Sequence, residues 1–196
     1  MPISEEPIVA LFIGDSYSAG AGATSRANRW TSVVSGGLGW REVNAALGGT
    51  GYVATSGPQG CGLDYCGTYA EAIAGVSNLT PDIVVISGGR NDGERLIESP
   101  GAVEDTIGAA KERWPDALVV VSSPLWDDDP APETLDASIE VTRAASLSTA
   151  AIYLDLGQPL FEHPEFVGDD GVHPNDAGYE AIAAAFQSAW MAAQVE

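Results

Sequence analysis

The stretch Ile8-Val9-Ala10-Leu11-Phe12-Ile13-Gly14-Asp15-Ser16 decides how this chain folds. Six apolar residues in a row, without polar alternation, read as a strand buried on both faces, the habit of a parallel sheet covered by helices. A glycine, a carboxylate and a serine follow at once. The strand's carboxyl end therefore delivers a hydroxyl to the rim of the sheet.

Working outward, the same pattern recurs. Trp40 to Ala45 is a weaker second run, and 83–86, 118–121 and 151–154 are a third, fourth and fifth, each rich in Val, Ile or Leu. The spacing predicts helices over 30–38, 69–76, 102–114 and 134–148. The clearest helix is the last: Tyr179, Ile182, Ala183, Phe186 and Trp190 fall on one face, and Asn175 or Asp176 can cap its start. Strand alternating with helix predicts a three-layer α/β/α, flavodoxin-like fold with about five parallel strands and right-handed crossovers. The 196 residues read as a single domain over 1–196, without repeat or linker. Two long connections, 46–67 and 156–174, flank polar clusters and read as functional loops.

Charge narrows the partners. The net charge of −20 comes from 28 acids against eight bases, with Lys111 the only lysine. Such a surface repels nucleic acid and anionic lipid. No apolar run is long enough to span a bilayer. Met1 to Pro7 carry Glu5 and Glu6 and no basic residue, so no signal peptide is expected. The chain reads as cytoplasmic, or as a mature exported domain whose signal has been removed. Cys61 and Cys66 match neither redox nor common zinc spacings. They read equally as a local disulfide in a glycine-rich loop or as two free thiols, according to compartment.

The polar candidates gather at strand ends, where open parallel sheets bind ligands. Ser16 follows the first strand, Gly48-Gly49 the second, and Asn91 the third within Gly88-Gly89-Arg90-Asn91-Asp92. Asp170 and His173 follow the fifth, within Asp169-Asp170-Gly171-Val172-His173-Pro174-Asn175. A serine hydroxyl becomes a good nucleophile when an imidazole takes its proton, and the imidazole needs a carboxylate to orient it. Ser16, His173 and Asp170 supply one candidate for each role.

With these four blocks in place, the chain resembles the SGNH (GDSL-type) hydrolases over nearly its whole length. Gly14-Asp15-Ser16 matches the first family block, Asn44-Ala45-Ala46-Leu47-Gly48-Gly49 the second, Gly89-Arg90-Asn91-Asp92 the third and Asp170-Gly171-Val172-His173 the last. The resemblance implies Ser16 as nucleophile and His173 as base, with Asp170 orienting the base. It also implies an oxyanion hole from the Ser16 N–H, Gly49 and the Asn91 amide. The second block departs from the usual form, with Ala46 and Gly48 where members often have Gly and Ser, so Gly48 stands as a rival to Gly49.

Each residue taken singly has a plainer reading. Gly-Asp-Ser makes an ordinary turn, Asn91-Asp92 a helix cap, and Asp170-Gly171 another turn. Jointly, in order and at four strand ends, the catalytic reading outweighs these. Asp15 and Asp92 read as loop braces and His163 as a surface residue. Arg90 reads equally as a substrate contact or half of a salt bridge. Trp126 reads as packing against a neighbouring helix more than as pocket lining, and Asp127-Asp128-Asp129 as a solvated loop, too contiguous to hold a metal.

The expected activity is a serine carboxylic ester hydrolase working through an acyl-enzyme without metal or cofactor. Its expected substrates are short-chain acyl or acetyl esters of a small molecule or glycan. A lysophospholipase or thioesterase is the alternative on the same fold, and a catalytically inactive carbohydrate-binding module the alternative from another class. A nucleotide-binding module is disfavoured, because Gly14 to Gly22 lacks the Lys-Ser/Thr ending of a phosphate loop.

Overall fold

A computed structural model describes residues 6–194 of the chain. Residues 1–5, most of the segment read above for a leader, lie outside the described residues, as do 195 and 196. Strand β1 (Val9–Gly14) occupies the middle of the architecture. It pairs in parallel with β2 (Arg41–Asn44) on one side and β3 (Ile83–Ser87) on the other. β4 (Leu118–Ser122) and β5 (Ile152–Leu154) continue beyond β3, giving the order β2-β1-β3-β4-β5. All four strand pairs are parallel, in keeping with the unbroken apolar runs.

Side chains alternate across the sheet and build a core on each face. Ala10 and Phe12 point to one face, where they meet Trp30 and Val34 of α2 (Trp30–Leu38) and Tyr179, Ile182 and Phe186 of α7 (Asp176–Ala193). Leu11 and Ile13 point to the other, against α3 (Tyr69–Gly75) and α5 (Gly101–Arg113). α6 (Thr134–Ser148) packs beside α5 on that face. Phe12 meets Trp30 edge to face at 5.5 Å, so the centre of this core is aromatic. Trp30, Trp40 and Trp114 are buried.

Two of the helices begin at side-chain caps. Thr68 and Glu71 form a reciprocal capping box at α3, and Asn175 accepts from the Gly178 N–H at the start of α7. Two short helices, α1 (Ser16–Ala19) and α4 (Glu94–Glu98), escaped the sequence reading. A single turn is too brief for a 3.6-residue period to register.

The strand order carries the functional consequence. Successive connections leave β1 toward opposite sides, to β2 first and then across to β3. That reversal opens a crevice at the carboxyl ends of β1 and β3, the usual ligand site of a doubly wound sheet.

Candidate active site

Ser16 stands at this crevice. β1 ends at Gly14, and Asp15 turns the chain by accepting the Tyr17 N–H on its own carboxylate at 2.9 Å. The cap leaves Ser16, half-buried, as the first residue of α1. Asp15 itself is sealed in at 2% exposure. Burial pushes its carboxyl up to about 6, against the opposing pull of the Tyr17 N–H and the Arg90 charge.

Beside Ser16 runs the loop after β2. A Cβ on Gly48 would lie 2.3 Å from the Gly60 carbonyl oxygen and 3.7 Å from Ser16 Cβ, so only glycine lets the three backbones converge there. Gly49 has φ +75°, the left-handed conformation glycine adopts without strain. Among the described residues, the backbone N–H groups of Ser16, Gly48 and Gly49 donate to no protein acceptor. Both rivals, Gly48 and Gly49, thus keep an uncommitted donor. Cys61 and Cys66 are joined as a disulfide, which resolves the open cysteine question and closes the loop that brings Gly60 against Gly48.

The third block holds that loop from the other side. Asn91 Nδ2 donates to the Thr50 carbonyl at 2.9 Å, which engages one of its two amide hydrogens. Asp92, 2% exposed, accepts the N–H groups of Tyr52, Val53 and Ala54 at 2.9, 2.8 and 2.7 Å. A carboxylate so placed organises three backbone donors at once. Asp92 is a brace of the 50–54 turn.

The base candidate comes from the loop before α7. Asp170 Oδ1 accepts the N–H groups of Val172 and His173, and Asp170 Oδ2 meets His173 Nδ1 at 2.6 Å. These bonds, led by the His173 N–H, pull the Asp170 carboxyl down to about 2. The loop reaches the nucleophile turn through Tyr17, whose hydroxyl donates to the Val172 carbonyl at 2.6 Å. The Tyr17 and His173 rings lie 6.1 Å apart. The ring of His173 is hydrogen-bonded to Asp170 and not to Ser16 Oγ; catalytic hydrogen bonds often tighten only when substrate is bound.

The remaining polar residues sort out around this core. His163 lies exposed, paired with Glu165 and stacked on Phe166. Arg90 is half of a salt bridge, 2.9 Å from Asp127. This corrects the reading of 127–129 as solvated: Asp127 is buried at 6% exposure because a buried guanidinium requires its charge. Trp126 stacks on Arg90 at 4.3 Å, a contact hydropathy could not reveal. Tyr17 was also missed, although its position directly after the candidate nucleophile was a signal in plain view. No group of three or more His, Cys, Asp or Glu side chains gathers as a metal site among the described residues. Nor is any helix among them long and apolar enough to cross a membrane.

Comparison with known proteins bears on this arrangement. The profile of the GDSL-like lipase/acylhydrolase family matches residues 12–181, spanning all four blocks. The chain is 32% identical over 183 residues to the GDSL lipase Rv0518 of Mycobacterium tuberculosis, covering 87% of this chain and 76% of that one. Its fold is similar to that of a lipolytic G-D-S-L family protein of Veillonella parvula (TM-score 0.66, 16% identity, 94% and 98% of the two chains). It is likewise similar to the psychrotrophic esterase EstA of a Pseudoalteromonas species (TM-score 0.71, 15% identity, 96% and 99%). The match to the family over residues 12–181, with 32% identity to a curated relative across most of the chain, makes this protein a member of the GDSL-like lipase/acylhydrolase family.

Proposed function

We propose that this family member hydrolyses carboxylic esters through an acyl-enzyme on Ser16. Ser16 Oγ attacks the acyl carbonyl carbon while His173 Nε2 takes the hydroxyl proton. The same nitrogen returns that proton to the departing alkoxide, and water repeats the sequence to release the acid. The oxyanion is met by the Ser16 N–H, the N–H of Gly49 (or of its neighbour Gly48), and the second hydrogen of the Asn91 amide. Every proton in this cycle moves between named side chains and water, so no metal or cofactor enters it, and the unit that performs it spans 1–196.

The observation that carries the reading is the 2.6 Å contact between Asp170 Oδ2 and His173 Nδ1. An ionised carboxylate at that nitrogen selects the tautomer with its proton on Nδ1 and frees Nε2 as a base. The backbone bonds to Asp170 Oδ1 lock the carboxylate in that pose.

Short acyl groups suit the site best. Grooves of about 370 and 450 Å³, lined by residues such as Trp114 and Val141, lie elsewhere on the surface; a third of about 510 Å³ runs past Leu47 and Tyr65 beside the loop after β2, and none of the three is lined by Ser16 or His173. The sequence near the strand ends around Ser16 is mostly Gly, Ser and Asp, which offers little apolar wall to a long chain. The charge of −20 further disfavours polyanionic substrates.

The test is hydrolysis of p-nitrophenyl acetate, butyrate and dodecanoate by wild type and by Ser16→Ala, with fluorophosphonate labelling alongside. Labelling of wild type alone and higher kcat/KM for the short esters are expected. Labelling of Ser16→Ala would remove Ser16 from the nucleophile role, and a rate that climbs to dodecanoate would turn the reading toward a lipase or thioesterase.

A further inference from the structure

Four loops of the rim are joined by one buried polar chain. Asp127, after β4, pairs with the Arg90 guanidinium at 2.9 Å, with both side chains at most 10% exposed. Arg90, adjacent to Asn91 after β3, lies between two aromatic rings, 4.8 Å from the Tyr17 centroid and 4.3 Å from that of Trp126. Its other terminal nitrogen donates to the Tyr17 hydroxyl. Tyr17, adjacent to Ser16 after β1 and 4% exposed, donates in turn to the carbonyl of Val172, adjacent to His173 after β5.

From this arrangement we infer that Tyr17 and Arg90 act together as positioning residues, a strut that sets the His173 loop against the Ser16 turn. The inference rests on the ester-hydrolase reading above.

Donor counting gives the strut its direction. A phenol carries one proton, and here it goes to Val172, so the hydroxyl must accept from Arg90. Donation from a cation polarises the O–H and strengthens its bond to the carbonyl. Burial holds the Tyr17 hydroxyl far above the usual phenol range, so the donor stays protonated at any working pH. Two rings and Asp127 occupy the guanidinium on three sides, which leaves it to serve the strut and not a substrate anion.

The strut matters because, among the described residues, it alone reaches the tip of the base loop: the other ties to the segment after Ser16 are made behind it, where Gly22 packs on Pro174, Asp176 accepts from Thr24 and Asn28, and Tyr179 donates to Ala21. Residues 169–172 are exposed, and their hydrogen bonds run largely within the loop, among Gly168, Asp170, Gly171 and His173. Those bonds fix the shape of the loop but not its distance from Ser16. The Tyr17–Val172 bond is the direct hydrogen bond from the loop tip to the Ser16 turn. Small misplacements of a reacting group are costly in rate while leaving substrate binding intact.

The experiment compares wild type, Tyr17→Phe, Arg90→Lys and the double variant on p-nitrophenyl butyrate. Tyr17→Phe keeps the stacked ring and removes only the hydroxyl. Its kcat is expected to fall ~10- to 30-fold with KM within about two-fold, and Arg90→Lys to fall ~3- to 10-fold. Because the two residues form one unit, the double variant should lose little more than Tyr17→Phe alone. In proton NMR, the downfield signal of the His173 Nδ1–H should broaden in Tyr17→Phe.

Unchanged kcat, multiplicative losses in the double variant, or a rise in KM in place of the fall in kcat would each overturn the strut. Should Tyr17→Phe fail to fold, Arg90→Lys decides alone by the same split between kcat and KM. Wild-type labelling at Ser16 reports separately on the ester-hydrolase reading, so failure of the strut and failure of that reading give different results.

Discussion

Two carboxylates stand on either side of the candidate chemistry, and their surroundings drive them in opposite directions. Asp15 precedes Ser16, is 2% exposed, and is held up at about 6 by burial. Asp170 precedes His173 by three residues, keeps 54% of its side chain exposed, and is held down at about 2 by hydrogen bonds to the His173 backbone and ring. The same functional group is a structural liability in one place and a ready anion in the other. Solvation and donor count decide which, not residue type or distance from the nucleophile. The carboxylate that can support an imidazolium is the exposed one.

The sharpest way to break this contrast is by turnover. Exchanging Asp170 for Ala should lower kcat by ~10²–10⁴, and His173→Ala should lower it at least as far, whereas Asp15→Asn should stay within about ten-fold of wild type. Steady-state kinetics on a short p-nitrophenyl ester decides the matter. If Asp15→Asn proved as damaging as Asp170→Ala, the division of roles between the two would be wrong.

Stability gives the next largest effect and adds a third carboxylate. Asp92 is as buried as Asp15 but accepts three backbone N–H groups. Stranding buried donors costs about 1–3 kcal/mol each, so Asp92→Ala should destabilise the fold by at least ~3 kcal/mol in urea denaturation. Asp15→Asn should move the other way. It preserves the acceptor for the Tyr17 N–H and removes a buried charge. At pH 8 the gain should approach about 2–3 kcal/mol, read as a Tm higher by roughly 5–10 °C. A loss of stability at pH 8 would mean that the charge of Asp15 is needed by Arg90.

The pH dependence separates the two carboxylates further. Native Asp15 retains a proton that the unfolded chain, near the ordinary carboxylate value of ~3.9, has already released. Stability from this group is therefore full below about pH 4 and falls as pH rises toward 6. Asp15→Asn and wild type should have similar melting temperatures at pH 4 and diverge by pH 7. Native Asp170 behaves inversely. Its contribution is present above about pH 4 and is lost as pH falls toward 2. Because Asp170 is exposed, Asp170→Asn should produce the smallest shift of the series, visible only as a weaker loss of stability between pH 4 and pH 2. Equal slopes for wild type and Asp170→Asn in that window would show that the carboxylate is not held down in the native state.

Much of this was legible in the chain itself. The apolar runs starting at Val9, Ile83 and Leu118 needed no tertiary information, because a strand buried on both faces admits no polar residue. The stripe from Tyr179 to Phe186 likewise announced α7. The residues of the candidate site stand out in the chain for a related reason: chemistry at strand ends would demand particular groups at the boundary between an apolar run and a turn. Other features were hidden. Asp127 lies in a run of three acids that looks solvated, and only Arg90, 37 residues away in sequence, draws the first of them inside. The disulfide was equally open, since two thiols five residues apart pair or not according to redox compartment, which residue types do not reveal.

By itself, then, the sequence determined the periodicities, the strand-end placement of Ser16, Asn91 and His173, and an acidic surface, all of which are properties of neighbours along the chain. The tertiary structure decided what depends on groups brought together from afar. It placed β1 between β2 and β3 so that the crevice opens beside Ser16, and it ran Arg90 and Tyr17 through to the carbonyl of Val172. It also buried Asp15 while leaving Asp170 in water, and so made two identical side chains opposite acids. Solvation is a property of the folded surroundings, which is why motif position could give the two carboxylates different roles but could not give them their opposite acidities.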